Sequence, residues 1–355
     1  MKNYFPLHVH SQYSLLDGLS KPEDIASRCE EIGVEGCALT DHGTISGHIQ
    51  FLLKMRDAGK KPLLGCEFYV SKEDSSIQNQ KNRKNAHLCI IAKNDDGWRD
   101  LVEMVSLSND KENFYYKPRL DLDKIFKFAE RGNLIAFSGH IGSNMSNILF
   151  DEDSELSVNW KRKGIQLANS FKDAFGEDFF LEVQLMDCDN LSIQKQIAEC
   201  IREISKETGI PCIATQDAHY VRKEDAKDQR ILLCSNLRTT IQRASSPEFG
   251  LSGFFRSSQF HIPTYEEMKQ WHTEEELDNT LVLASRVEEY KNILKQPILP
   301  EFECPDGMNA DEYVRHLCRK GWKERIEGKV PEEKYEEYTE RIKYELEVLQ
   351  GAGLS

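Results

Sequence analysis

Two histidines stand two residues apart in LHVH, and in an extended chain His8 and His10 project from the same face. Such a pair can bind one metal ion or two neighbouring ones. Asp17 follows in the next loop, and ALTDHG sets Asp41 and His42 just before a turn glycine. Glu67 lies in LLGCEFYV, His140 follows the run LIAFSG, and CIATQDAHY carries Asp217 and His219. Each feature alone has an ordinary reading, HxH as a half-exposed strand pair and Asp before a turn as a helix cap. The conjunction points elsewhere, because six of the 10 histidines fall at the edges of short apolar runs with carboxylates nearby. Imidazoles and carboxylates without thiolates suit Zn, Mn or Fe in an open hydrolytic site.

These groups can act together only if the elements that carry them converge. From residue 5 to about residue 235, short apolar runs alternate with longer amphipathic stretches, the pattern of βα units. Strands are expected at 5–9, 35–40, 62–70, 87–92, 133–138, 179–185 and 211–215. Helices are expected at 22–33, 45–59, 96–108 and 191–209, the first opened by Pro22 and stopped by Gly33. The pattern predicts an α/β fold, a distorted (β/α)7 barrel of the TIM type, with a doubly wound open sheet as the alternative. Barrel enzymes collect catalytic groups at the C-terminal ends of strands, where most of the residues above fall. His87 opens its strand instead, and reaches the others only if 62–70 and 87–92 run antiparallel around the polar excursion 71–86. His48, His261, His272 and His316 lie in helical or linker stretches and read as structural. The barrel is expected over 1–240, an irregular linker over 241–264 and a mostly helical segment over 265–355.

Composition narrows the classes. The chain of 355 residues is 39% hydrophobic, with 17 Phe, 12 Tyr and 4 Trp, enough for a sizeable core and against disorder. A net charge of −14 argues against a surface that wraps nucleic acid by charge alone. A polyanionic substrate would need bound cations, a partner, or a local patch such as Lys81, Arg83 and Lys84, or Arg222 and Lys223. No window approaches the roughly 18–20 apolar residues of a membrane span, and the histidine-bearing start is no signal peptide, so the expected location is cytoplasmic, away from any membrane. The 10 cysteines include no CxxC pair and read as small buried core residues.

The order LHVHSQYSLLDG, LTDHG, GCEFYV, HLCIIAK, SGHIG and QDAHYVRKEDA resembles the PHP (polymerase and histidinol phosphatase) domain. It is most similar to the version at the N-terminus of the bacterial replicative DNA polymerase III alpha subunit. The segments FFRSSQFHIPTYEEM, ILPEFECPDGMNADEYVRHLCRKGWKERI and RIKYELEVLQGAG resemble the stretch leading into the polymerase palm. The resemblance implies a trinuclear metal site held by His8, His10, Asp17, His42, Glu67, His87, His140, Asp217 and His219, with three divalent ions, Zn, Mn or Fe. It also implies that Asp41 orients a neighbouring imidazole, and His10, Asp217 and Asp41 are expected to carry catalysis. His140 stands where many polymerase members have Cys, and Gln216 where Asn is usual. The chain stops at GAGLS, before the family's Mg2+-binding aspartates, so polymerisation by this chain alone is not expected.

Three functions follow from the resemblance. One is metal-dependent 3′ to 5′ exonuclease or phosphoesterase action on DNA, at a 3′ end or primer-template, alongside the rest of the polymerase and other replisome subunits. Another is a metal-stabilised scaffold for the polymerase. The last is a free-standing phosphatase of the histidinol phosphatase type, which would have no need of the polymerase-like segment after residue 260.

Overall fold

The computed structural model describes residues 3–150, 155–246, 252–296, 298, 300 and 302–355. It divides into two compact units, Met1–Ile293 and Leu294–Ser355. The first holds one mixed sheet of seven strands: β1 (Gly36–Leu39), β2 (Lys61–Ser71), β3 (Asn85–Ala92), β4 (Arg119–Leu120), β5 (Leu134–Ser138), β6 (Phe179–Gln184) and β7 (Cys212–Thr215). Their order is β1-β2-β3-β5-β6-β7, with β4 paired to β2. β1 and β2 are parallel, as are β5, β6 and β7, whereas β3 runs antiparallel to both of its neighbours. Every residue of β1, β5, β6 and β7 is buried, so these strands are covered on both faces, as expected of a βα barrel.

The expected first strand, 5–9, forms no ladder and makes only one bridge, Val9 to Ala218. The reason is local chemistry. Pro6 has no N–H, the Phe5 amide donates to Thr280 Oγ1 and the Val9 amide to Thr40 Oγ1, so side chains replace strand partners. The segment still closes the curl of the sheet. Its other bonds run to β1's edge on one side (Ala38 N to Pro6 O, 2.8 Å) and to Ala218 on the other.

Helices follow the strands. Pro22–Glu31 starts with Pro in its first turn, Asp95–Asn109 is capped by Asn94 accepting from Gly97 N, and Leu122–Ala129 by Asp121 accepting from Lys124 N. Ile193–Thr208 ends on left-handed Gly209 and packs on β6. The excursion between β2 and β3 is held by Arg119, fully buried on β4. Its guanidinium donates to the carbonyls of Ser75 and Ile77 (2.9 Å each), Asn82 and Asn113.

The compact break falls later than the composition suggested. Within 241–264, short helices form at Ile241–Ala244 and Ser252–Arg256, and Ala244, Phe255 and Phe260 are buried; 247–251 lie outside the described residues. Helix Glu274–Ser285 packs on β7 and so belongs with the barrel. In the second unit, Ala310–Arg325 and Tyr335–Gly351 are helical, with Trp322 edge-on to Tyr335 at 5.3 Å. No helix of the described residues is long and apolar enough to cross a membrane.

Glu276 ties helix Glu274–Ser285 to Ile193–Thr208 by accepting from Arg202 Nε (2.6 Å) and Nη2 (2.9 Å). Burial pushes its carboxyl up, but Arg202 and His272 more than offset this and hold it at about 2, below its ordinary 4.5. A depressed folded-state pKa contributes stability that is present above pH 4.5 and is lost as pH falls through about 2. Glu276→Gln is therefore expected to lose about 2 kcal/mol at pH 7 in urea denaturation, a loss that shrinks as the pH is lowered below 4.5.

Candidate metal centre

The centre is assembled by long-range pairing at one end of the curled sheet. His10 N donates to Ala218 O (2.8 Å) and Ala218 N to His8 O (2.9 Å), so the HxH segment lies directly against the DxH segment. After β7, Asp217 takes φ +52, a left-handed conformation Asp tolerates better than most residues, and this turn carries its carboxylate inward. After β1, the backbone at Asp41–Gly43 pairs with Glu67 (Glu67 N to Asp41 O, 3.1 Å; Gly43 N to Glu67 O, 2.9 Å). Gly43 has φ +60, and a Cβ there would stand 2.9 Å from Pro118 Cγ, so this turn needs glycine. Because β3 is antiparallel to β2, with Tyr69 opposite His87, His87 falls at the same end as the C-termini of the parallel strands. His87 N then donates to Gly142 O (3.0 Å), which draws in the loop bearing His140.

All nine residues named from sequence as ligands come together. Glu67, 2% exposed, faces His42 Nδ1 at 2.5 Å, His87 Nδ1 at 2.8 Å, His140 Nε2 at 3.0 Å, His10 Nε2 at 3.4 Å and His8 Nε2 at 3.7 Å. Asp217 Oδ1 lies 3.2 Å from His10 Nε2 and 3.5 Å from both His8 Nε2 and His219 Nδ1. At the more open rim, Asp17 Oδ2 lies 3.2 Å from His42 Nε2 and 3.6 Å from His219 Nε2. Sets of three with mutually close ligand atoms include His8–His10–Asp217, His10–His42–His219 and His42–Glu67–His87.

Asp41 is not where catalysis would need it. It is fully buried; Oδ1 accepts from Ser11 N and Ser14 Oγ, and Oδ2 from Ser11 Oγ, all at 2.7 Å. It reaches the imidazoles only through Ser14, whose Oγ bonds His10 Nδ1 at 3.0 Å. Both oxygens of Asp41 are thus committed to hydroxyls and an amide. Arg222, expected as a guide for a strand, is engaged by Glu31 (2.8 Å). His48, His261 and His272 are structural, bonded to Gly65 O, Glu267 and Leu185 O respectively, and His316 stacks on Tyr313.

Two groups escaped the sequence reading. Glu182 on β6, fully buried, takes His8 Nδ1 at 2.8 Å and His140 Nδ1 at 2.5 Å, and accepts Thr215 Oγ1 at 2.7 Å. It thereby points both Nε2 atoms at the centre. Gly139 lets the chain pass close to β6, since a Cβ there would sit 1.9 Å from Glu182 O. A lone carboxylate in the apolar strand FFLEVQ was the available signal. The second is Cys89, whose Sγ lies 3.5 Å from His8 Nε2; in HLCIIA nothing distinguishes it from a core cysteine.

The electrostatics follow from burial against these neighbours. Burial, His42 and His219 push His10 down to about 4, so it stays neutral with a free lone pair. Burial would also lower His140, but Glu182 and Glu67 hold it up at about 9, and they themselves stay ionised. Burial alone would raise Asp217, yet His219 and His8 keep it well below the usual carboxylate range. Five buried atoms, His10 Nε2, His42 Nδ1, Glu67 Oε2, His140 Nε2 and Asp217 Oδ1, face groups of this cluster, His42 Nδ1 at 2.5 Å from Glu67 Oε2 and His10 Nε2 at 3.2 Å from Asp217 Oδ1, without making well-directed hydrogen bonds among the described residues. Imidazole nitrogens and carboxylate oxygens gathered around one space are ligand types that fit divalent cations, which would displace the imidazole protons.

The PHP domain family matches residues 6–185. The chain belongs to the PHP domain family. The chain is also similar to the DNA polymerase III alpha subunit of Borreliella burgdorferi, 33% identical over 362 residues covering 99% of this chain. The alpha subunits of Aquifex aeolicus and Thermus aquaticus are 32% and 31% identical, covering 100% and 93% of it. The chain spans only 27% to 30% of the length of these curated relatives. Among solved structures, an amidohydrolase from Chromobacterium violaceum aligns with TM-score 0.42 and 14% identity, over 61% of this chain and 87% of its own.

Glu182→Gln keeps the shape of the side chain and removes its charge. In metal-free protein it is expected to bring His140 down from about 9, with Glu67 alone left to oppose burial, read by NMR titration of the imidazole protons.

Proposed function

We propose that this chain is the PHP part of a replicative DNA polymerase III alpha subunit, acting in the cytoplasm, and that its metal centre hydrolyses phosphodiester bonds at the 3′ end of DNA. The observation that carries the reading is the convergence of nine ligand-competent residues into overlapping sets of three whose ligand atoms lie close together. Up to three divalent ions, Zn, Mn or Fe, would be held by His8, His10, Asp17, His42, Glu67, His87, His140, Asp217 and His219. Bound there, they would supply Lewis-acid polarisation of a phosphoryl oxygen and a water acidic enough to attack at neutral pH.

The chain's own groups do the rest. Neutral His10 and ionised Asp217, 3.2 Å apart, would orient the attacking water, whose proton would pass to solvent. A cleft of about 480 Å³ opens beside the centre, with Asp17 and His42 on its floor and Tyr13, Tyr69 and Lys117 in its walls. Lys117 Nζ lies 5.1 Å from the centre of the Tyr69 ring, a cation and an aromatic face suited to a phosphate and a terminal base. Local cations of this kind are what a chain of net charge −14 needs to hold DNA. The polymerase and other replisome subunits would be its partners.

Deep burial favours a second reading. His8 and His10 are fully buried, and metal held there would pin the 6–10 segment to β2, β3 and the 217–219 turn, a stabilising role needing no catalysis. Similarity that runs beyond the barrel, over 99% of the chain, speaks against a free-standing phosphatase.

Chelation is expected to lower the melting temperature by about 5–10 °C, with recovery on adding Mn2+ or Zn2+. A metal-free preparation whose melting is unchanged on adding Mn2+ or Zn2+ would sink the metal centre. Wild-type protein is expected to release nucleotides from the 3′ end of single-stranded or mispaired DNA with Mn2+ stimulation. His10→Ala and Asp217→Asn should each reduce this at least about a hundredfold while remaining folded, and His316→Ala should not change it. Bound metal with an inactive wild type would establish the scaffold role instead.

A further inference from the structure

We propose that Cys89 is a metal ligand of this centre, giving it one thiolate arm that selects for zinc-like ions. The inference rests on the metal-binding reading above and adds a residue and a metal preference to it.

The register puts the thiol in position. Glu67 on β2 is directly opposite Cys89 on β3, so the two side chains share one face of the sheet. His87, two residues earlier on β3, shares that face as well. Cys89 is fully buried, and its Sγ stands 3.5 Å from His8 Nε2, with Glu67 close enough to complete a set of three. His8 Nδ1 is committed to Glu182, so Nε2 is the nitrogen left to offer a lone pair toward the centre.

The spacing suits one shared ion. Zinc bonds of about 2.3 Å to sulfur and 2.0–2.1 Å to nitrogen, at a tetrahedral angle, put S and N about 3.5 Å apart. In the absence of metal the same 3.5 Å approach is an S–H···N hydrogen bond to His8 Nε2, which coordination would replace. Around the same point His10 Nε2, His140 Nε2, Glu67 Oε2 and Asp217 Oδ1 are buried and crowd against one another and their neighbouring imidazoles and carboxylates. On coordination the S–H bond breaks, the proton leaves to water, and the sulfur lone pair enters the metal bond. Softer thiolate favours Zn2+ and Co2+ over Mn2+.

Cobalt reads the sulfur directly and independently of any catalysis. Full-chain protein freed of metal and titrated with Co2+ is expected to show visible d–d bands and a near-ultraviolet sulfur-to-cobalt charge-transfer band. Cys89→Ala should lose the charge-transfer band and keep the d–d bands. Cys66→Ala, another fully buried cysteine, whose Sγ is 3.4 Å from Asp41 O, should keep both. Visible bands without charge transfer in wild type, or charge transfer that survives in Cys89→Ala, would overturn the proposal and leave the metal centre standing. Absence of any cobalt binding would overturn the metal reading together with it. Should Cys89→Ala fail to fold, zinc X-ray absorption on wild type with its accessible thiols alkylated decides. A sulfur scatterer at about 2.3 Å supports the ligand, and a shell of nitrogen and oxygen alone rejects it.

Discussion

One buried carboxylate organises this molecule. Glu67 has five imidazoles within 3.7 Å, from the 6–10 segment, the turn after β1, β3 and the loop after β5. In a low-dielectric interior an ion of either sign is expensive alone, so the carboxylate and the imidazoles are stable only in each other's company or around a cation. That condition is met only if the sheet curls far enough for these elements to face one another. The fold and the centre are therefore a single constraint seen from two sides.

The remaining polar groups follow from it. Imidazoles facing a common point must be anchored from behind, and Glu182 does this for His8 and His140, while Asp41, through Ser14, does it for His10. The carboxylates behind the imidazoles keep His140 basic, while His10, crowded by His42 and His219, stays neutral. Protons and metal ions thus compete for the same lone pairs. Farther out, Arg119 holds the excursion that returns β3 antiparallel, without which His87 would face the far end of the barrel.

A barrel of this kind solves the charge problem posed by composition. Under the proposed function the acidic excess of the chain would not have to be reversed across its surface, because cations held at the centre would concentrate positive charge at one mouth. The cleft of about 480 Å³ beside it, lined by Asp17, His42 and Lys117, opens the centre to solvent.

The ligand-competent residues were legible from sequence because HxH, TDHG and DxH are local spacings beside apolar runs, and a strand or turn fixes where neighbours point. The alternation of apolar and amphipathic stretches likewise announced the βα barrel. Other features belong to pairings between distant segments, which no local period encodes. The side-chain acceptors Thr40 and Thr280 turned the expected first strand into a bridged segment. The direction of β3 decided the side on which His87 falls. Buried Ser11 and Ser14 took the oxygens of Asp41 away from the centre. Packing of helix Glu274–Ser285 on β7 moved the compact break to 293/294. Glu182 and Cys89 sit in runs whose local pattern says only core. Their chemistry exists because the register across β2, β3, β5 and β6 sets them against His8 and His140, a matter of hydrogen bonding between strands far apart in the chain.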